Sequence, residues 1–296
     1  MIVGILGALV VLVLSFAVYF FKDLSTNKGS LEKDTNFAAA SGIGFITNFL
    51  DTLGIGSFAP MTALLRGFKQ IRDRVIPGTL NVSCTIPVAV EAFIFITVIK
   101  VEIVTLIFMV IAAVAGAVVG AGIVAKLSEK KIQMIMGIAL LTTAFFMLSG
   151  RLEWIAGLGT GEAIGLTGWK LIIAVIVNFL LGALQSAGIG MYAPSMALVY
   201  ILGMSPRIAF PIMMASAAFT LAPASIKFIN EGAYNRKASL AITLSGIVGV
   251  FIAAYIVKSL PLEILTWLVI VVIVYTAIVL LLKATSKEKS IGSFSE

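Results

Sequence analysis

The stretch Gly54-Ile55-Gly56-Ser57-Phe58-Ala59-Pro60 returns later in the chain as Gly188-Ile189-Gly190-Met191-Tyr192-Ala193-Pro194. Both copies interrupt long apolar stretches, and both hold the same place in two halves of the chain. A glycine-rich break followed by proline inside a membrane segment starts a new half-helix at depth in the bilayer. That start carries N–H groups without helical partners and a partial positive charge, so it can hold an anion. Two such breaks in two repeats are the pattern of a secondary transporter with its site near the midplane.

The rest of the chain agrees. It is 60% hydrophobic and 12% charged, with a mean hydropathy of +1.12. A soluble domain carries about 25% charged residues, so this is a polytopic membrane protein. Apolar runs fall at 1–21, 38–65, 76–99, 103–125, 132–149, 169–203, 208–229, 238–257 and 262–282. Each is near or above the ~20 residues that span a bilayer as helix. The first run has no basic start and no small-residue cleavage site, so it reads as a retained membrane helix. The formal charge of +7 sits in short loops, which suits membrane topology and gives no reason to expect nucleic acid. With no histidine in the chain, histidine metal sites, serine–histidine triads and histidine proton relays are excluded. The single cysteine, Cys84, lies in an apolar helix and forms no intrachain disulfide.

The repeat extends past the breaks. The offset from Gly54 to Gly188, 134 residues, also carries Phe45 to Phe179, Leu64 to Leu198 and Pro77 to Pro211. The chain divides into an N-terminal helix with a charged linker (1–37), repeat A (38–149), a Gly-rich outer loop (150–168), repeat B (169–282) and a basic tail (283–296). Lysine and arginine decide the topology. If all nine runs cross fully, 9 basic residues lie inside and 12 outside, against the positive-inside rule. If the two broken runs are re-entrant hairpins, 16 lie inside, and only Lys100, Arg151, Lys170, Arg207 and Lys258 lie outside. The second arrangement predicts an all-α membrane protein of two inverted repeats. Each repeat is a re-entrant broken helix pair plus three transmembrane helices, and one N-terminal helix is added. It predicts seven full crossings of the plasma (inner) membrane, with the N-terminus outside and the C-terminus cytoplasmic. Trp154, Trp169 and Trp267 then fall near the outer surface, as an interfacial belt does.

Gly54, Gly56, Gly188 and Gly190 permit tight turns, and Pro60 and Pro194 fit a first helical turn. Ser57, Thr79 and Asn81 can hydrogen-bond an oxyanion without adding charge, or can join helices to one another. Asp51 is the most unusual residue, because a carboxylate at membrane depth costs ~2.5–3.5 kcal/mol. It is protonated, paired, a partner of the break dipole, or a coupling site for H⁺ or Na⁺. Its repeat counterpart is the neutral Gln185. Glu91 is expected to snorkel towards the outer face. Arg207 anchors at the interface or guards an outer mouth, and the small residues from Gly116 to Gly122 pack helices closely. Each half-helix end is worth about +0.5 charge, so two suit a monoanion. No catalytic group and no metal site are expected. A hydrolase built on Ser57 has neither a histidine nor a lysine nearby.

These residues resemble the TauE/SafE family of sulfite exporters, also called the toluene sulfonate uptake permease family. The resemblance rests on Gly54-Ile55-Gly56…Pro60, Gly188-Ile189-Gly190…Pro194 and the run Gly78-Thr79-Leu80, and covers about 38–282. Ser57-Phe58 and Met191-Tyr192 stand where more glycine is usual, and Asn81 follows the Gly-Thr-Leu run. The resemblance implies transport of sulfite, thiosulfate, an organosulfonate or a small carbon acid. Phe58 and Tyr192, matched at the repeat offset, shape the site and are placed to face each other. The expected partners are a small anion and the lipid bilayer, with no nucleic acid. No cofactor is expected beyond H⁺ or Na⁺ as coupling ion, and no feature sets an oligomeric state. The expected function is secondary transport of a small sulfur-containing anion by alternating access. A carboxylate carrier is the alternative, and a non-transporting scaffold or sensor is the alternative of another class.

Overall fold

The computed structural model describes residues 2–28, 31–120, 129–152, 161–186 and 191–285. Within them lie eleven α-helices and no strand, apart from an isolated bridge between Ala163 and Met204. After α1 (Ile2–Thr26), the first half holds α2 (Phe37–Thr52), α3 (Phe58–Gly67), α4 (Ile76–Val98), α5 (Ile103–Ala115) and α6 (Glu129–Arg151). The second holds α7 (Gly168–Ser186), α8 (Tyr192–Ile201), α9 (Ala209–Asn230), α10 (Arg236–Ser259) and α11 (Leu262–Thr285). The order of long arm, short half-helix and three further helices is thus repeated.

The broken segments are hairpins that return to the side they enter. The open end of α2–α3 is pinned where the Asn36 amide donates to Gln70 Oε1 at 2.9 Å and the Thr35 hydroxyl donates to Gln70 O at 2.9 Å. The open end of α7–α8 is pinned where Lys170 Nζ donates to Leu202 O at 3.1 Å. These two closures lie at opposite ends of the bundle. One end gathers Asp23, Thr35, Gln70, Thr79 and the 234–236 segment, joined by hydrogen bonds. The other gathers Lys100, Glu102, residues 161–166, Ser205, Arg207 and Leu260. Lys100, Lys170, Arg207 and Lys258 therefore share the second end, as the charge census groups them. The side chain of Arg151 and the placement of Trp154 fall outside the described residues.

Helices α4 and α9 hold equivalent places and pack against each other antiparallel. Phe95 near the end of α4 meets Phe210 at the start of α9, with ring centroids 5.1 Å apart, and Thr85 hydrogen-bonds Ser225 at 2.7 Å. The first arm of each half packs on a late helix of the other: α2 on α10, and α7 on α5. Such reciprocal, antiparallel packing is what inverted repeats produce. Small residues permit the close approach. A Cβ on Gly44 would run into the α10 backbone at Ile242, and one on Gly182 into the α5 backbone at Ala113.

Among the described residues, six stretches are long and apolar enough to cross a membrane: Ile2–Thr26, Ile76–Val98, Gly168–Gln185, Pro206–Asn230, Arg236–Ser259 and Thr266–Thr285. They differ from the seven crossings expected. Helix α7 qualifies although it is a hairpin arm, and α5 and α6 do not. The α-helical part of α5 stops at Ala115 and passes into a π turn over Gly116–Gly120, where the Phe179 backbone crowds Gly116. Within the run, close packing is seen at Gly116, whereas Val118 and Val119 are exposed; 121–128 lie outside the described residues.

Capping fixes the helix starts. Asn36 caps α2 and Asn235 caps α10, each side chain accepting the amide N–H three residues on. Glu102 caps α5, accepting from the amides of Val104 and Thr105 and from the Thr105 hydroxyl. Burial alone would lift its pKa, but the Thr105 and Val104 donors outweigh it and hold the carboxyl below its ordinary value. Such caps are worth about 1 kcal/mol each.

Candidate functional site

The first break is built by two left-handed glycines. Gly54 and Gly56 both have φ of +89°, a region open to glycine because it lacks Cβ. Helix α2 closes in a Schellman motif, with the Gly54 amide donating to Asp51 O and the Ile55 amide to Leu50 O. The chain then reverses and α3 begins at Phe58. Gly54 packs against the other half: a Cβ there would overlap the terminal methyl of Met196 on α8. Around Gly56 there is open space.

Helices α3 and α8 are each 10 residues long, ~15 Å, or half a hydrocarbon core. Phe58 and Tyr192 are their first residues, and Pro60 and Pro194 their third, where a missing N–H costs no helical bond. Both starts face one cavity of about 140 Å³. Asp51, Gly56, Ser57, Phe58, Pro60, Gln185 and Tyr192 line it, together with Gln133 of α6 and Tyr275, Thr276 and Lys283 of α11. The cavity therefore joins both halves. Phe58 and Tyr192 both line it.

Asp51 is the group at the α3 start. It is 2% exposed. Its Oδ1 accepts the Ser57 amide N–H at 2.5 Å, and its Oδ2 faces the Tyr192 hydroxyl at 3.4 Å, long for such a bond. The side chain thus already occupies a donor that an incoming anion would use. Behind it, the Thr52 hydroxyl contacts Glu91 Oε1 at 2.6 Å and Asn48 O at 2.9 Å. Ser57 Oγ meets Cys84 Sγ at 3.6 Å. In the second half Gln185 Oε1 accepts the Thr220 hydroxyl at 3.0 Å. A neutral amide therefore stands where the first half has a carboxyl.

Several expectations need correction. Thr79 is not in the cavity. Its hydroxyl donates to Val75 O and accepts the Asn235 amide, so it ties α4 to the start of α10. Asn81 is spent on Pro77 O one turn back. Gly54 and Pro194 support the break without lining the cavity. Glu91 does not snorkel: it is 0% exposed and points at Thr52. Gly188 and Gly190 lie outside the described residues. Lys283, read from sequence as the first residue of a tail, belongs to α11 and stands at the cavity rim. A helical signal running through Thr285 is what would have found it. Among the described residues no group of acidic, cysteine or histidine side chains could hold a metal ion.

The fold and site have a counterpart among known families. A family model described as Sulfite exporter TauE/SafE matches residues 3–147 and 170–295, one segment per half. No curated protein and no solved structure matched the chain. The family is one of membrane transporters for sulfur-containing anions. With both halves matched over most of its length, the chain belongs to the TauE/SafE sulfite exporter family.

Proposed function

We propose that this protein is a secondary transporter of a small sulfur-containing monoanion, such as bisulfite or a short organosulfonate. The observation that carries the reading is a single cavity bordered by the N-terminal residues of both half-helices. Each helix start offers free N–H groups and about half a positive charge. Phe58, Ile55, Val88 and Leu221 supply apolar wall, and Ser57, Gln185 and Tyr192 supply polar contacts. The volume is close to the ~150 Å³ apolar cavity that takes up benzene, so a sulfonate with a short tail fits. Lys283 at the rim adds positive charge on the entry side.

An asymmetry between the halves supports alternating access. The α6/α11 pair packs on α8, whereas α3 packs mainly on α2 and α4. The cavity separates α3 from Gln133, Tyr275 and Thr276 on that pair. Two equivalent halves allow the exchanged arrangement, with the pair seated on α3 and withdrawn from α8. Moving between the two opens the anion site to each end in turn. Asp51 serves as the coupling group: it must give up the Ser57 N–H as a neutral acid when the anion takes it.

Ligands that bind the folded state raise its apparent stability by mass action. Thermal unfolding of detergent-purified protein against sulfite, thiosulfate, sulfate, taurine, sulfoacetate, acetate and lactate tests the reading. Stabilisation by the sulfur anions, lost in Gly56→Val, is expected. Stabilisation by acetate and lactate alone moves the assignment to carboxylates. No stabilisation by any anion removes the anion site and leaves a scaffold or sensor.

A further inference from the structure

Glu91 is the second acidic residue at depth, and it lines neither cavity. Its side chain is fully buried. Oε1 contacts the Thr52 hydroxyl at 2.6 Å, and Oε2 is buried with no hydrogen-bond partner. Thr52 follows Asp51 directly, so two carboxyl groups flank one residue of α2. Neither has a lysine or arginine partner among the described residues. Two unpaired carboxylates cannot both stay charged in a low-dielectric interior, because each costs several kcal/mol to desolvate and they repel. The α3 start meets the charge of Asp51. Glu91 has no such partner, and its free oxygen calls for a positive species.

A proton fits that vacancy better than Na⁺. Sodium needs several oxygens around it, and Glu91 has one hydroxyl and an otherwise apolar neighbourhood on α4. The titratable groups within electrostatic reach are Asp51 on α2, Tyr192 on α8 and Cys84 on α4 itself. The other helices packed on α4 keep their charges near their ends: Lys22 and Asp23 on α1, Arg66 on α3, Lys227 on α9, and Arg236, Lys237 and Lys258 on α10. Tyr19 on α1 and Tyr255 on α10 are 46% and 76% exposed and turn outward.

Val88 lines the anion cavity, and Val98 lines a second cavity of about 360 Å³ at the opposite end, with Lys100, Glu162, Arg207 and Lys258. Glu91 stands between them, ~4.5 Å along the helix from Val88 and ~10 Å from Val98 at 1.5 Å per residue. The repeat offset carries Asp51 to Gln185 and Glu91 to Ser225, both neutral, so the acidic pair belongs to one half only.

We infer that Glu91 is a proton-binding site which, through Thr52 and Asp51, couples anion movement to proton movement. This rests on the transport reading above and adds a second proton-binding group behind Asp51. The carboxyl of Glu91 takes a proton as R–COO⁻ + H⁺ → R–COOH, with no other reactant.

Two experiments test it. Infrared difference spectra of the purified protein, titrated from acid to alkaline pH, read the C=O stretch of protonated carboxyls without any substrate. A buried-acid band absent from Glu91→Gln, kept in Asp51→Asn and shifted in Thr52→Val is expected. The same band in Glu91→Gln as in the wild type overturns the assignment, and so does a band that appears only with Na⁺ removed. In proteoliposomes, Glu91→Gln is expected to keep sulfite exchange within about twofold while losing accumulation driven by a pH gradient; Glu91→Asp restores it. Undiminished proton-driven accumulation in Glu91→Gln refutes the coupling role. If the wild type moves no anion yet the infrared band behaves as expected, the transport reading fails and the proton site stands.

Discussion

Asp51→Asn separates the charge at the α3 start from the geometry there. The amide oxygen can still accept the Ser57 N–H that Asp51 Oδ1 accepts at 2.5 Å, and the amide nitrogen can face the Tyr192 hydroxyl. The negative charge is removed and the shape is kept. Two unit charges about 4 Å apart interact by about 4 kcal/mol at an effective dielectric of ~20. That sets a ceiling of nearly three decades on how far a charged Asp51 can weaken the binding of a neighbouring anion. If Asp51 takes up one proton for each anion bound, the wild-type Kd rises about tenfold per pH unit once the group is charged. The Asn variant binds with a Kd that is flat in pH and tighter than wild type at alkaline pH, by up to that ceiling. Methanesulfonate is the probe of choice, since its own charge does not change with pH. Titration calorimetry across the range gives both curves, and unfolding without anion shows whether the variant folds. A wild-type Kd independent of pH, or a folded Asn variant that binds more weakly than wild type at every pH, refutes the reasoning.

Other predictions follow from the same geometry. Gly54→Ala puts a Cβ at φ +89° and against Met196, and should destabilise by about 2–5 kcal/mol. Gly56→Ala shares the φ but meets open space, so chemical unfolding should show a loss of only about 1–2 kcal/mol; equal losses would remove the packing role of Gly54. Lys69 has φ of 51° at the end of α3, where the equivalent residue ending α8 is Gly203. Lys69→Gly should therefore be neutral or stabilising by up to about 1 kcal/mol, and a clear loss in an unfolding titration would contradict this. Glu102, with its carboxyl held below its ordinary pKa, contributes stability that is present above its unfolded pKa and lost as pH falls through the folded one. Glu102→Ala should cost about 1 kcal/mol at neutral pH, and its gap from wild type should close in acid; a gap that persists at low pH would show the cap works without its charge.

Much of the fold was legible because two strong local signals agree. Glycine and proline mark a break wherever they interrupt an apolar run, and the 134-residue offset from Gly54 to Gly188 makes the break a repeat. The lysines and arginines then separate hairpins from crossings, since one lysine costs more at depth than any loop geometry gains. The two pinned open ends, at Asn36–Gln70 and Lys170–Leu202, realise that separation. What stayed hidden depends on partners distant in sequence. Thr79 has the composition of an anion ligand, but its hydroxyl is taken by an amide 156 residues away. Glu91 looked free to snorkel because helix periodicity does not say which neighbour a face meets, and that neighbour is Thr52. Lys283 reads as a tail because apolar character ends at Leu282, although the helix continues to Thr285.

In the proposed function, the paired half-helix starts bind a sulfur anion and carry it across the membrane. Counterflow of labelled sulfite and taurine in proteoliposomes of purified protein tests this most directly, beside Gly56→Val and protein-free liposomes. Saturable exchange of at least one of the two by the wild type is expected, with loss of exchange in Gly56→Val protein that still unfolds cooperatively. Wild-type rates no higher than those of empty liposomes, or exchange undiminished in Gly56→Val, would contradict it.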